Sequence, residues 1–167
     1  MEIKYEILDK DRLEKFSRLS RFSRYGYLAG GTALALQIGH RCSYDFDLFL
    51  KKPIGNTLLK LIKNNFSVKK ILVNTSDEFS FLDDKDIKFT FLYYPFIFPD
   101  KLIKTKEGVK LLSLKNIAAS KAYTIGRRGS YRDYLDLYWL LQGNLIDLPS
   151  LVHRCRSVFG ELFSEKM

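Results

Sequence analysis

Cysteine is scarce in this chain. Only Cys42 and Cys155 occur in 167 residues, with no CxxC spacing. Neither a disulfide framework nor a structural zinc site is expected, and a reducing cytoplasm fits. No apolar run is long enough to span a membrane, so no membrane partner is expected. The opening stretch, MEIKYEILDKDRLEKF, is charged throughout and does not read as a signal peptide. Internal repeats and low-complexity segments are missing. Acid is under-represented: 19 Asp and Glu stand against 28 Lys and Arg.

Aromatic residues are plentiful, with 13 Phe and 10 Tyr, enough to fill the core of one domain or of a domain with a small appendage. The surplus basic charge is concentrated. Between Asp100 and Arg132 stand nine basic residues and two acids, a net +7. Concentrated positive charge attracts phosphate, in nucleotides or in nucleic acid. A solvated surface is the competing explanation.

The patterning predicts an amphipathic helix over 9–24, from Leu13, Phe16, Leu19 and Phe22 at spacing three. A strand over 25–29 meets Gly30-Gly31, and Thr32–Ile38 forms a helix stopped by Gly39. Alternation over 43–50 predicts a strand with Asp45 and Asp47 on one face and Phe46 and Leu48 on the other. A helix over 58–65 precedes strands over 66–73, 78–82 and 87–94, the last two forming a hairpin. A short strand over 109–112 leads to helices over 114–125 and 130–141 and from Pro149 to about 163. Ser130 and Asp133 match a capping box. The class is α+β. An α/β core with a mixed sheet and flanking helices spans 1–108, and a C-terminal helical part spans 109–167, expected to pack on the core.

Chemistry gathers in Leu28–Phe49. Gly30 and Gly31 let the backbone approach a ligand, and Thr32 offers a hydroxyl at a helix start, a setting suited to a triphosphate. Fourteen residues after Gly31, Asp45-x-Asp47 sets two carboxylates side by side. Carboxylates so placed repel unless a divalent cation lies between them, and Mg²⁺ shared with substrate phosphates suits the pair.

This stretch, GGTALAL followed by HRCSYDFDLF, resembles the signature of the polymerase-beta-type nucleotidyltransferase superfamily, and within it the AbiEii/AbiGii toxin family. A second match begins at Lys121 and continues through RDYLDLYWLL to Leu141. Together they cover about residues 10–142. The resemblance implies a nucleotidyltransferase-type fold and a Mg²⁺-dependent transfer of NMP from an NTP to an acceptor hydroxyl. The acceptor it implies is RNA, at the tRNA 3′ end. It also implies a toxin paired with an antitoxin protein.

The resemblance further implies a role for each matched residue. Gly30, Gly31 and Thr32 hold the triphosphate, Asp45 and Asp47 bind Mg²⁺, and Lys121 reaches a phosphate. Asp136 and Asp133 act as acids, Asp136 ranking first because Asp133 also answers Ser130. Arg41 pairs with Asp45 or holds a phosphate, and His40 is a packing residue or a proton carrier. Arg127, Arg128 and Arg132 hold the RNA backbone. Lys121 and Asp136 are expected to meet at the mouth of the cleft containing Asp45 and Asp47. The superfamily's third carboxylate has no counterpart in 87–92, where Lys88 and Thr90 take the alternate positions and Asp86 lies just outside. A catalytically inactive nucleotide- or RNA-binding module on the same fold is the alternative.

Overall fold

The computed structural model describes residues 2–125, 127 and 130–164. Arg128 lies outside them. The chain divides into two compact units, Met1–Pro95 with Ile103–Leu111, and Phe96–Leu102 with Leu112–Met167.

The first unit opens with α1 (Lys10–Arg18), capped by Asp9, whose carboxylate accepts from the Arg12 backbone N–H at 2.8 Å. The expected helix over 9–24 tightens after Arg18 into a 3-10 turn, Leu19–Phe22. Spacing of three explains the change: residues three apart eclipse in a 3-10 turn, which puts Phe16, Leu19 and Phe22 on one buried line. Leu13 stays 40% exposed. Then β1 (Gly26–Ala29) runs straight into α2 (Gly30–Ile38), which ends at left-handed Gly39. β2 (Phe46–Leu50) follows, three residues shorter than expected because Ser43 and Asp45 are bonded elsewhere. α3 (Asn56–Asn65) leads to β3 (Val68–Asn74), β4 (Glu78–Asp83) and β5 (Lys88–Tyr93). Two short strands, β6 (Ile103–Lys104) and β7 (Lys110–Leu111), close the unit. The first of these carries no readable pattern, because two residues show no period.

The strands form one mixed sheet ordered β3-β4-β5-β2-β1-β7-β6. β2 is antiparallel to β1 and parallel to β5, and β4–β5 is the expected hairpin. Registered residues share a face, so Phe46, Phe89 and Phe81 line up on one side, with Phe91 and Phe79 beside them. Phe16, Phe22 and Phe66 cover that side, with ring centroids 4.4–6.4 Å from the sheet's rings. The opposite face carries a polar row, Asp47, Thr90 and Ser80, across β2, β5 and β4.

The second unit contains α4 (Leu114–Ile125), α5 (Tyr131–Gln142) and α6 (Leu148–Phe159). Residues 96–102 belong with these helices for visible reasons. Asp100 accepts from the Ser113 hydroxyl at 2.8 Å and pairs with Arg154 at 3.0 Å. Phe96 packs edge-on against Phe159 and Tyr123, which stack on each other. The division therefore splits the stretch around residue 108 and assigns 103–111 to the sheet. No helix among the described residues is long and apolar enough to cross a membrane.

A buried ion cluster ties α4 to α5. Lys121 Nζ lies 2.8 Å from Asp133 Oδ1 and 2.6 Å from Asp136 Oδ2, and all three side chains are at most 7% exposed. The capping box does not form: the Ser130 side chain makes no cap bond. Asp133 turns inward because a buried ammonium offers more than a solvated helix end. Removing the cation takes the buried ammonium away from two buried carboxylates. Lys121→Met is expected to cost about 3–5 kcal/mol in urea unfolding. A loss under about 1 kcal/mol would contradict a structural role for the cluster.

Candidate functional site

The turn from β1 into α2 brings backbone and side chain into close contact. Gly30 takes φ +65, a left-handed conformation that a side chain would strain. A Cβ built on it would lie 2.5 Å from Asp47 Oδ2. The Asp47 carboxylate thus sits against the backbone at the head of a helix, a contact only glycine permits. Register explains it, since Ala29 of β1 pairs with Asp47 of β2. The α2 N-cap is Ala29, which makes no side-chain cap bond, and no acid stands in the first turn. The amides of Gly30, Gly31 and Thr32 are those a helix leaves without intrahelical partners, and the helix dipole favours an anion there.

Asp45 is placed by Thr32. The buried Thr32 hydroxyl donates to the Asp45 carbonyl and shares a 2.7 Å bond with the Ser43 hydroxyl. Thr32 is 1% exposed, so in this structure its hydroxyl fixes the approach to β2 rather than facing a ligand. Asp45 lies one residue before β2, and Asp45 and Asp47 are both half-buried. Arg41 is half-buried and donates to the Cys42 carbonyl at 3.1 Å. His40 is half-buried as well.

The donor set decides what ion these residues suit. Among the described residues no group of three or more His, Cys, Asp or Glu could enclose a metal. Two carboxylates two residues apart, beside a glycine cradle, match one hard dication. Phosphate and water would complete its shell, as Mg²⁺ prefers. In the first unit, the strand position beside Asp47 holds no acid. Thr90 stands opposite Asp47, and Asp86 is turned away, its carboxylate bonded to Lys69 at 2.7 and 2.9 Å.

Lys121, Asp133 and Asp136 belong to the second unit, where Lys121 and Asp136 meet. Asp133 joins them on equal terms, which removes the reason for ranking it second. The basic segment is divided: Lys104, Lys106 and Lys110 fall in the first unit, and Lys101, Lys115, Lys121, Arg127 and Arg132 in the second. Lys110 is spent on the Ser23 carbonyl at 3.0 Å. Arg127 lies 3.7 Å over the Tyr123 ring and donates to the Leu162 carbonyl at 2.8 Å. Arg132 is exposed. Ser43 escapes the sequence reading because its partner is the Thr32 hydroxyl eleven residues earlier, and Thr90 reads only as a position without an acid because its place beside Asp47 is set by register.

No protein-family model matches the chain. The uncharacterized protein aq_aa25 of Aquifex aeolicus (strain VF5) is 35% identical over 145 residues, covering 85% of this chain and 69% of its own. Among solved structures, a proposed nucleotidyltransferase from H. pylori superposes with a TM-score of 0.62 at 20% identity, over 90% of this chain and 77% of its own. JHP933 from Helicobacter pylori gives 0.62 at 19% identity, over 93% and 75%. The antibiotic-resistance factor ANT(2'')-Ia gives 0.61 at 12%, over 90% and 92%. These likenesses show the fold, a mixed sheet with flanking helices of the nucleotidyltransferase type. With a third of its residues shared along most of both sequences, the chain belongs to the family of Aquifex aeolicus aq_aa25.

Proposed function

We propose that this protein is a nucleotidyltransferase that moves an NMP from an NTP to an acceptor hydroxyl. The observation that carries the reading is the seat of Asp47 against Gly30 at the head of α2, with Asp45 held beside it through Thr32. The fold shared with the solved structures above supports it. The finer reading follows the motif resemblance to the AbiEii/AbiGii toxins: Mg²⁺ as cofactor, RNA as acceptor at the tRNA 3′ end, and an antitoxin partner in the cytoplasm.

The chain's residues divide the work as follows. The amides of Gly30 and Gly31 receive phosphate oxygens at the positive end of α2. Asp45 and Asp47 would hold Mg²⁺, which when bound offsets triphosphate charge and polarises the α-phosphate. The acceptor oxygen bonds to the α-phosphorus as the bridging P–O bond breaks, and pyrophosphate leaves with that electron pair. The acceptor's proton passes to water, since the register places Thr90 rather than an acid beside Asp47. Lys121, Asp133 and Asp136 form one ion cluster within the second unit. Positioning and charge supply most of what such a transfer needs. The second reading is a module that binds nucleotide without transferring it, and Thr90 in the third-acid position favours that one.

Incubation with each α-labelled NTP, Mg²⁺ and total RNA separates the two. Label is expected in RNA, and Asp47→Asn should lower it by roughly two orders of magnitude. Gly30→Ala is expected to lose transfer as well, and more than about 1 kcal/mol of stability, because it combines a strained φ with a carboxylate in the way. Nucleotide bound by the wild type without transfer to RNA or protein would select the binding module. For the RNA surface, Arg132→Ala should reduce the slope of log affinity against log salt by about 0.7–0.9. An unchanged slope in tRNA filter binding would remove Arg132 from the interface.

A further inference from the structure

Thr90 has an unusual position for a hydroxyl. It lies in β5, directly in register with Asp47 of the parallel neighbour β2 and with Ser80 of β4. Adjacent strands lie about 4.8 Å apart and registered side chains share a face. Thr90 is 8% exposed, and its Oγ1 is buried without a hydrogen-bond partner among the described residues. A buried hydroxyl in that state costs stability. Valine would fill the same volume, keep the strand preference and avoid the cost. The hydroxyl therefore makes sense only toward something that occupies the polar face beside Asp47.

We propose that Thr90 is a positioning residue of this site. Its hydroxyl holds a water of the single hydrated divalent cation that Asp45 and Asp47 would carry, and the site takes one ion rather than two. The proposal rests on the metal reading of the proposed function and specifies its stoichiometry. The chemistry runs as follows. Two carboxylates offset one dication. A second dication needs a further acid, and the register puts a neutral hydroxyl where that acid would have to stand. Mg²⁺ gives up water reluctantly and keeps several in its shell, bound by one or two carboxylates. A neutral hydroxyl next to the coordinating carboxylate is suited to orient one of those waters. Groups in that outer position affect metal affinity strongly although they do not touch the ion.

Titration of the full chain with Mn²⁺ alone, with free ion read by electron paramagnetic resonance, tests this without activity. The wild type is expected to bind one ion per chain. Thr90→Val should bind it roughly tenfold more weakly while its Tm stays level or rises, and Thr90→Ser should retain wild-type affinity. Thr90→Asp should bind a second ion. Thr90→Val with wild-type affinity would overturn the role of Thr90 while leaving Asp45 and Asp47 in place. Two ions on the wild type would overturn the stoichiometry. A Tm that falls together with affinity in both Val and Ser variants marks a packing role and also overturns it. No ion bound by the wild type, or binding unaffected by Asp47→Asn, would overturn the metal reading and this proposal together.

Discussion

The close approach of β2 to the β1–α2 turn governs the first unit. Pairing of Ala29 with Asp47 brings a carboxylate to within contact of a backbone that has just turned left-handed. Only a residue without a side chain fits at Gly30, and a helix start is then the surface the carboxylate faces. Thr32 adds the second restraint by binding the carbonyl of Asp45, so the segment before β2 is held to the same helix. Backbone geometry and one buried hydroxyl thus help to fix the two acids. The same register divides the sheet into a face lined with phenylalanines and a face that carries Asp47, Thr90 and Ser80.

The second unit manages charge differently. Its central lysine is neutralised by two acids one helical turn apart, and the three together carry a formal charge of one negative. Such a cluster stabilises less than an apolar core of equal volume, but it is costly to break. It fixes which faces of α4 and α5 meet. Part of the basic charge that looks continuous in sequence between 100 and 132 is taken up by contacts within the fold. Lys121, Lys110 and Arg127 all have partners within the fold. Arg132 on α5 and the exposed Lys101, Lys104, Lys106 and Lys115 carry what faces solvent.

Much of this was legible in the sequence. The helices and the longer strands follow from period and from Gly and Pro punctuation, and the meeting of Lys121 with Asp136 follows from two helices joined by a short loop. Other features were hidden for physical reasons. Spacing of three reads as helix but suits a 3-10 turn, so the expected single helix over 9–24 changes form at Leu19. The segment 43–45 alternates like a strand, yet a hydroxyl from α2 removes it from the ladder. Ser130 and Asp133 have the spacing of a capping box, but local spacing cannot weigh a solvated cap against a buried lysine twelve residues earlier. Thr90 was seen only as the lack of an acid. Its relation to Asp47 is a matter of register between strands far apart in sequence, which composition and period do not encode.

The central claim is that nucleotide phosphates bind at the head of α2, against a cation held by Asp45 and Asp47. A crystal structure with a non-hydrolysable NTP analogue and Mg²⁺ tests it most directly. The account predicts phosphate oxygens on the amides of Gly30 and Gly31 and a metal ion touching both carboxylates. A triphosphate seated elsewhere, or one at α2 with no ion between it and Asp45 and Asp47, would contradict it.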